Sequence, residues 1–181
     1  MSGNPARATL MIDTSRLRLR PHRLEDFERY LPLWTQPEPP DTASPLILTA
    51  EEVWDRLLRW VGHWSHFGFG LFLALDRESD TIVGEVGLGY FHRGIGAHFD
   101  GMPEAAWRVL ATRRGEGLAS EAMQGVLGWF DRAVRTPRTV CLIYSANTRS
   151  IRVAERLGYR EFGNGWYRER PALLFERTIA P

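Results

Sequence analysis

The stretch RRGEGLASEA, from Arg113 to Ala122, sets two arginines and two glycines side by side and then turns into residues that suit a helix. Amide donors left free at a helix N-terminus form a seat for an anion. Glycine lets the backbone approach that anion closely, and arginine adds charge-assisted donors. The stretch reads as a phosphate cradle. It lacks the lysine of a GxxxxGK[ST] nucleotide loop, and Ser120 stands where GxGxxG needs its last glycine. The same residues also suit a plain strand-to-helix turn that needs small side chains, so the spacing alone leaves both readings open.

Other reactive side chains read as structural. Cys141 lies in the mostly apolar run TVCLIYSA with no histidine near it in sequence, which marks a buried thiol rather than a nucleophile. His63 and His66 stand three residues apart beside Trp60 and Trp64, but no glutamate completes an HExxH pattern. They read as packing or surface histidines, and no metal site is expected.

The elements that must carry these groups follow from periodicity. RLRLR (Arg16 to Arg20) alternates as a strand with one face buried. Leu24, Phe27, Tyr30 and Leu31 recur at helical spacing, and the breaker-rich run Thr35 to Pro45 is a loop. Thr49 and Glu52 form a capping box for a helix carrying Val53, Leu57, Trp60, Val61 and Trp64. Two strands follow around a polar hairpin at Asp76 to Asp80, then the strand EAAWRVLA, which ends at the glycine corner. Leu118, Ala122, Met123, Val126, Leu127 and Phe130 make the next helical stripe. TVCLIYSA is a buried strand. Asn147 caps a short helix that Gly158 stops, and ALLFERTI is a last strand. This order predicts an α/β sandwich with a mixed sheet. Residues 1–13 read as a loose lead-in and residues 14–181 as one domain.

The chain has 181 residues, of which 44% are hydrophobic, enough for a sizeable core. Its formal net charge of +1 gives no long-range pull toward nucleic acid or an anionic membrane, so anion binding must come from a local site. A single cysteine excludes an internal disulfide. No signal peptide and no apolar run of membrane-spanning length is visible, and a soluble cytoplasmic protein is expected.

Arg114, Gly117 and Ala119 fit the pattern (Gln/Arg)-x-x-Gly-x-(Gly/Ala), which resembles the pyrophosphate loop of the GNAT N-acetyltransferases. The blocks TSRLRLRPHRLEDFERY, IVGEVGL, EAAWRVLATRRGEGLASEAM and NTRSIRVAERLGYREFG resemble, in order, the branch related to the ribosomal-protein N-terminal acetyltransferases RimJ and RimL. The resemblance covers residues 14–179. It implies the GNAT fold, a mostly antiparallel mixed sheet flanked by helices, and acetyl-CoA as cosubstrate. The pyrophosphate is then held by Arg114, Gly115, Glu116, Gly117, Leu118, Ala119 and Ser120. The pantetheine arm lies between the strands at Val109, Leu110 and Ala111 and at Leu142 to Ser145, with Asn147 bonding one of its amides.

The resemblance also implies transfer to a primary amine, either a small amine or a protein N-terminus, by direct attack in a ternary complex. Glu104 is the first candidate for the base and Glu85 its rival, while an amide near Leu110 faces the oxyanion. The family's common tyrosine acid is replaced by Ala154, which leaves Ser150 as the acid candidate. His92, His98, Trp34 and Trp54 are candidates to line the acceptor site. A homodimer stays open. The competing readings are a non-catalytic acyl-CoA-binding module and a transferase for a larger acyl group.

Overall fold

A computed structural model describes residues 10–37 and 46–179. Most of the expected loop at Thr35 to Pro45 thus lies outside the described residues. Eight strands form one sheet: β1 (Ile12–Asp13), β2 (Leu17–Pro21), β3 (Leu71–Asp76), β4 (Ile82–Gly89), β5 (Glu104–Val109), β6 (Arg138–Tyr144), β7 (Arg160–Tyr167) and β8 (Arg170–Thr178). Their order across the sheet is β1-β2-β3-β4-β5-β6-β8-β7. Every neighbouring pair is antiparallel except β5 and β6. The helices are α1 (Phe27–Tyr30), α2 (Pro32–Thr35), α3 (Ala50–Phe67), α4 (Leu118–Ala133) and α5 (Thr148–Arg156). None of the described helices is long and apolar enough to cross a membrane.

The local signals act as expected. Thr49 accepts from the Glu52 amide and Glu52 from the Thr49 amide, so α3 starts on a complete capping box. Its buried stripe of Val53, Leu57, Trp60 and Trp64 lies on one face of the sheet. Gly89 makes that approach close: a Cβ there would stand 2.7 Å from the Trp60 ring. The other face carries α4 and α5, whose Met123, Val126, Phe130 and Ala154 share a core with Ala105, Cys141, Ile143 and Phe175.

Two strands were not anticipated. Ile12 and Asp13, counted with the lead-in from sequence, pair with Leu19 and Arg18. Residues 160–167 form β7, joined to β8 by a tight turn in which Arg168 and Glu169 both take positive φ, 48° and 61°. The expected strand EAAWRVLA is also shorter than read: β5 ends at Val109, and Ala111 opens a 3-10 turn.

Candidate active site

The parallel pair β5–β6 has a single register contact, Glu104 opposite Val140, beside a bond from the Val140 amide to the Pro103 carbonyl. Beyond it the two strands diverge over about 17 Å of β5. The Leu110 amide donates to the Val83 carbonyl at 2.9 Å. Antiparallel ladders alternate, so Arg108 and Ala106 also turn toward β4, while Ala105, Trp107 and Val109 turn their amides toward β6. On β6, the Ser145 amide bonds the Pro171 carbonyl, so by the same alternation Leu142 faces β5. A wedge edged by backbone amides therefore opens away from Glu104. The Leu110 amide itself turns away from this wedge, and in the stretch expected to face the oxyanion it is the neighbouring Val109 amide that faces it. Ala111 lies past the strand end.

The glycine corner stands at the wedge mouth. Gly115 and Gly117 take φ of 86° and 80°, a backbone region that excludes most side chains at low cost. Gly117 is the N-cap of the 16-residue α4, and no side chain caps it, so the amides of Leu118, Ala119 and Ser120 point outward without a side-chain acceptor. The corner is braced from two sides. Arg113 bonds Asp76 and Glu116, which neutralises the one acid in the loop. Glu121 accepts from Thr14, Ser15 and both the amide and guanidinium of Arg16, and Arg16 also donates to the Glu116 carbonyl. Those four donors outweigh partial burial and hold the Glu121 carboxyl down at about 2. Asn147 and Ser150 stand past the end of β6, at the same open end. Asn147 accepts from the Ser150 amide at 3.1 Å, so its capping role is real.

The two candidate carboxylates share one sheet face, because Glu85 pairs with Arg108 and Glu104 with Gly89 across the β4–β5 ladder. Their surroundings differ. Glu85 is 1% exposed and is gripped by His22 at 2.9 Å, by the Tyr30 hydroxyl and by the Arg56 guanidinium. Burial alone would raise its pKa, but Arg56 and His22 reverse this and hold it at about 2. Such a group is a poor proton acceptor at neutral pH. Glu104 is as deeply buried and, among the described residues, has one side-chain partner, Arg93, at 2.6 Å. Here burial wins, and the Glu104 pKa stands above its ordinary value. A carboxylate offers four acceptor positions, so the Arg93 fork leaves room for a further proton donor.

The remaining candidates separate clearly. Cys141 is buried, and burial pushes its thiol pKa well up. His63 spends both ring nitrogens on backbone, toward the Phe69 carbonyl at 2.7 Å and the Tyr90 amide at 3.0 Å. Ala154 is fully buried among core side chains. His98 lines a pocket of about 200 Å³ with Ile95, Leu142 and Trp166. His92 stands on the same loop with φ of 48°. Trp34 lies between the Arg56 and Arg108 guanidiniums, at 3.9 and 4.3 Å, whereas Trp54 packs on Phe27. Sequence reasoning missed Arg16, Arg56 and Arg93. Each meets its carboxylate across the fold or across a loop, and no local pattern marks them.

Comparison with known proteins adds family and fold. A family model described as an acetyltransferase (GNAT) domain matches residues 16–160. A GNAT-family acetyltransferase structure from Bordetella pertussis is 37% identical, with a TM-score of 0.86 over 93% of this chain and 99% of that one. An acetyltransferase from Agrobacterium tumefaciens is 24% identical, with a TM-score of 0.76 over 94% and 95%. RimL, a ribosomal L7/L12 alpha-N-protein acetyltransferase solved with coenzyme A, shares the fold at 16% identity, with a TM-score of 0.70 over 94% and 98%.

Proposed function

This chain belongs to the GNAT acetyltransferase family and is an acetyltransferase, and from that premise we propose that it moves the acetyl group of acetyl-CoA onto a primary amine by direct attack. The observation that carries the reading is the wedge between β5 and β6, which leads from the uncapped start of α4 to a buried carboxylate. The outward amides of Leu118, Ala119 and Ser120, with the glycine turn from Arg114 to Gly117, suit a pyrophosphate. The wedge-facing amides of Trp107, Val109 and Leu142 suit an extended chain of alternating amides laid in like an added strand. Bound coenzyme A in RimL agrees with this choice of cosubstrate. From the sequence blocks that resemble it, we place the chain beside the RimJ/RimL branch as a proposal.

In the reaction we infer, Glu104 takes the proton of the amine, directly or through one water. The amine nitrogen then bonds to the thioester carbon, and the carbon–sulfur bond breaks. Arg93 fixes the Glu104 carboxylate, and burial keeps that carboxylate basic enough to serve. Glu85 serves instead to anchor α3 over the sheet through Arg56. Ser150, whose amide bonds the Asn147 side chain, is our candidate donor to the departing thiolate. The strands pair at the Glu104–Val140 contact, and we take that narrow end of the wedge as the seat of a short acyl group.

The phosphate seat is tested by Gly117→Asp. The substitution adds a carboxylate where the anion must sit and forces a side chain into the left-handed region. Coenzyme A affinity, read by calorimetry on the folded variant, is expected to fall by about tenfold or more, at least ~1.4 kcal/mol. Unchanged affinity would remove the loop from the binding site.

A further inference from the structure

A continuous run of guanidinium and ring contacts surrounds the sheet face that carries Glu104. Arg108 and Arg56 cover Trp34. Arg56 and Arg59 both lie over Trp60, at 5.7 and 5.3 Å. Trp60 meets Phe91 edge-on, and Arg93 lies 4.6 Å from Phe91 and 4.8 Å from Tyr167. Tyr167 stacks on Tyr144, which Arg170 covers at 4.1 Å. These residues come from α2, α3, β5, β6, the β7–β8 hairpin and the β4–β5 loop, so the fold gathers them from across the chain.

The charge of this arc does not balance. Its two carboxylates, Glu85 and Glu104, are taken by Arg56 and Arg93. Among the described residues, Arg59 and Arg170 have no carboxylate partner and meet only ring faces. Asp100 on the β4–β5 loop is held by the Gly94 and Gly96 amides, and Glu169 stands exposed at the hairpin tip. Burial and the neighbouring Arg56 and Arg93 push the Arg59 pKa below its ordinary value, a sign of crowded cations. The indole N–H groups of Trp34 and Trp60 are buried with no acceptor. The arc thus has an excess of positive charge and of donors, which repels a second cation and leaves room for an anion.

We propose that the acceptor is a small primary amine carrying an anionic group, a carboxylate or a phosphate, which one guanidinium of the arc, Arg59 or Arg170, holds while the amine faces Glu104. The inference rests on the reading of Glu104 as the base of the same site. It has a chemical corollary: the cationic surroundings favour the neutral form of the amine, the form that attacks.

Matched pairs test it, namely amino acids against their amides, and ethanolamine phosphate against ethanolamine, in acetyl-CoA-dependent acetylation. The anionic member of at least one pair is expected to show kcat/KM about tenfold or more above its neutral partner, and the pair that responds identifies carboxylate or phosphate. Arg59→Gln or Arg170→Gln should shrink that ratio, and the variant that does so identifies the guanidinium that holds the anion; an unchanged ratio in both would overturn the assignment. Equal rates within both pairs would overturn the proposal. A second measurement does not depend on turnover: calorimetry of N-acetyl amino acids, N-acetylethanolamine phosphate and their neutral counterparts on the coenzyme A complex. Tighter binding of an anionic product with no amine acetylated would uphold the anion site and sink the transfer reading. Equal binding within both product pairs would sink the anion site.

Discussion

Replacing Arg56 with methionine is expected to cost the fold about 3–5 kcal/mol, because it strips the strongest partner from a carboxylate that has no water to turn to. Glu85 lies at the centre of β4 under α3, and among the described residues Arg56 is its only guanidinium partner. The His22 and Tyr30 donors remain in the variant, but they were arranged around a paired charge. Removing both charges should hurt less than removing one, since Glu85→Gln keeps the acceptor that Tyr30 and His22 need. Urea unfolding of Arg56→Met, Glu85→Gln and the double variant reads this directly, and the loss in the double variant should fall well below the sum of the two single losses. Strict additivity would mean that the pair is not coupled. The same network sets an acid limit. The Glu85 pKa is lowered in the fold from 4.5 to about 2, so its stabilisation is complete above the unfolded value and is lost as pH falls through that window.

Glu104→Gln should lower kcat/KM near pH 7 by about 10²–10⁴-fold, the usual worth of a general base. Coenzyme A affinity should change little, since the phosphate seat lies at the far end of the wedge. The pH profile separates loss of a base from loss of shape. Burial raises the Glu104 pKa from its ordinary value, so the native enzyme loses its base on the acid side at a higher pH than an ordinary glutamate would. The glutamine variant lacks that limb. Its deficit should shrink as pH rises toward the amine's own pKa, near ~10 for an alkylamine, because more acceptor arrives already neutral. Glu85→Gln is the control. If that variant shows the pH-dependent deficit and Glu104→Gln does not, the roles of the two carboxylates exchange.

What could be read in advance was what is local. The Thr49–Glu52 box, the Asn147 cap and the glycine corner each state their conformation within a few residues, and the structure forms all three. β7 was missed because an edge strand needs few buried residues, and REFGNGWY shows no apolar alternation. β1 was missed because two residues carry no period; its place is set by the Thr14–Leu17 turn. At the site, sequence put Glu85 and Glu104 on equal terms as strand carboxylates. What separates them is who donates to each, and those donors come from His22, Tyr30, Arg56 and Arg93 on other elements. The Leu110 amide shows the same limit, for the side to which a strand amide turns depends on ladder parity that only pairing reveals.

The single contact between β5 and β6 makes the sheet a pair of rafts, β1–β5 and β6–β8, moored at one end. Hydrogen bonds alone would let the rafts swing, and what holds them at one angle is the helical layer beneath, where α4 side chains share one core with Ala105 on one raft and Phe175 on the other. A ligand lodged in the seam would restore the missing ladder and act as a removable ninth strand. Slowed amide hydrogen exchange at Trp107, Val109 and Leu142 on adding coenzyme A would register that closure. The bound state would also gain about 2.7 kcal/mol of global stability at a ligand concentration of ~100 Kd, so the cosubstrate becomes part of the protein's cohesion as well as its chemistry.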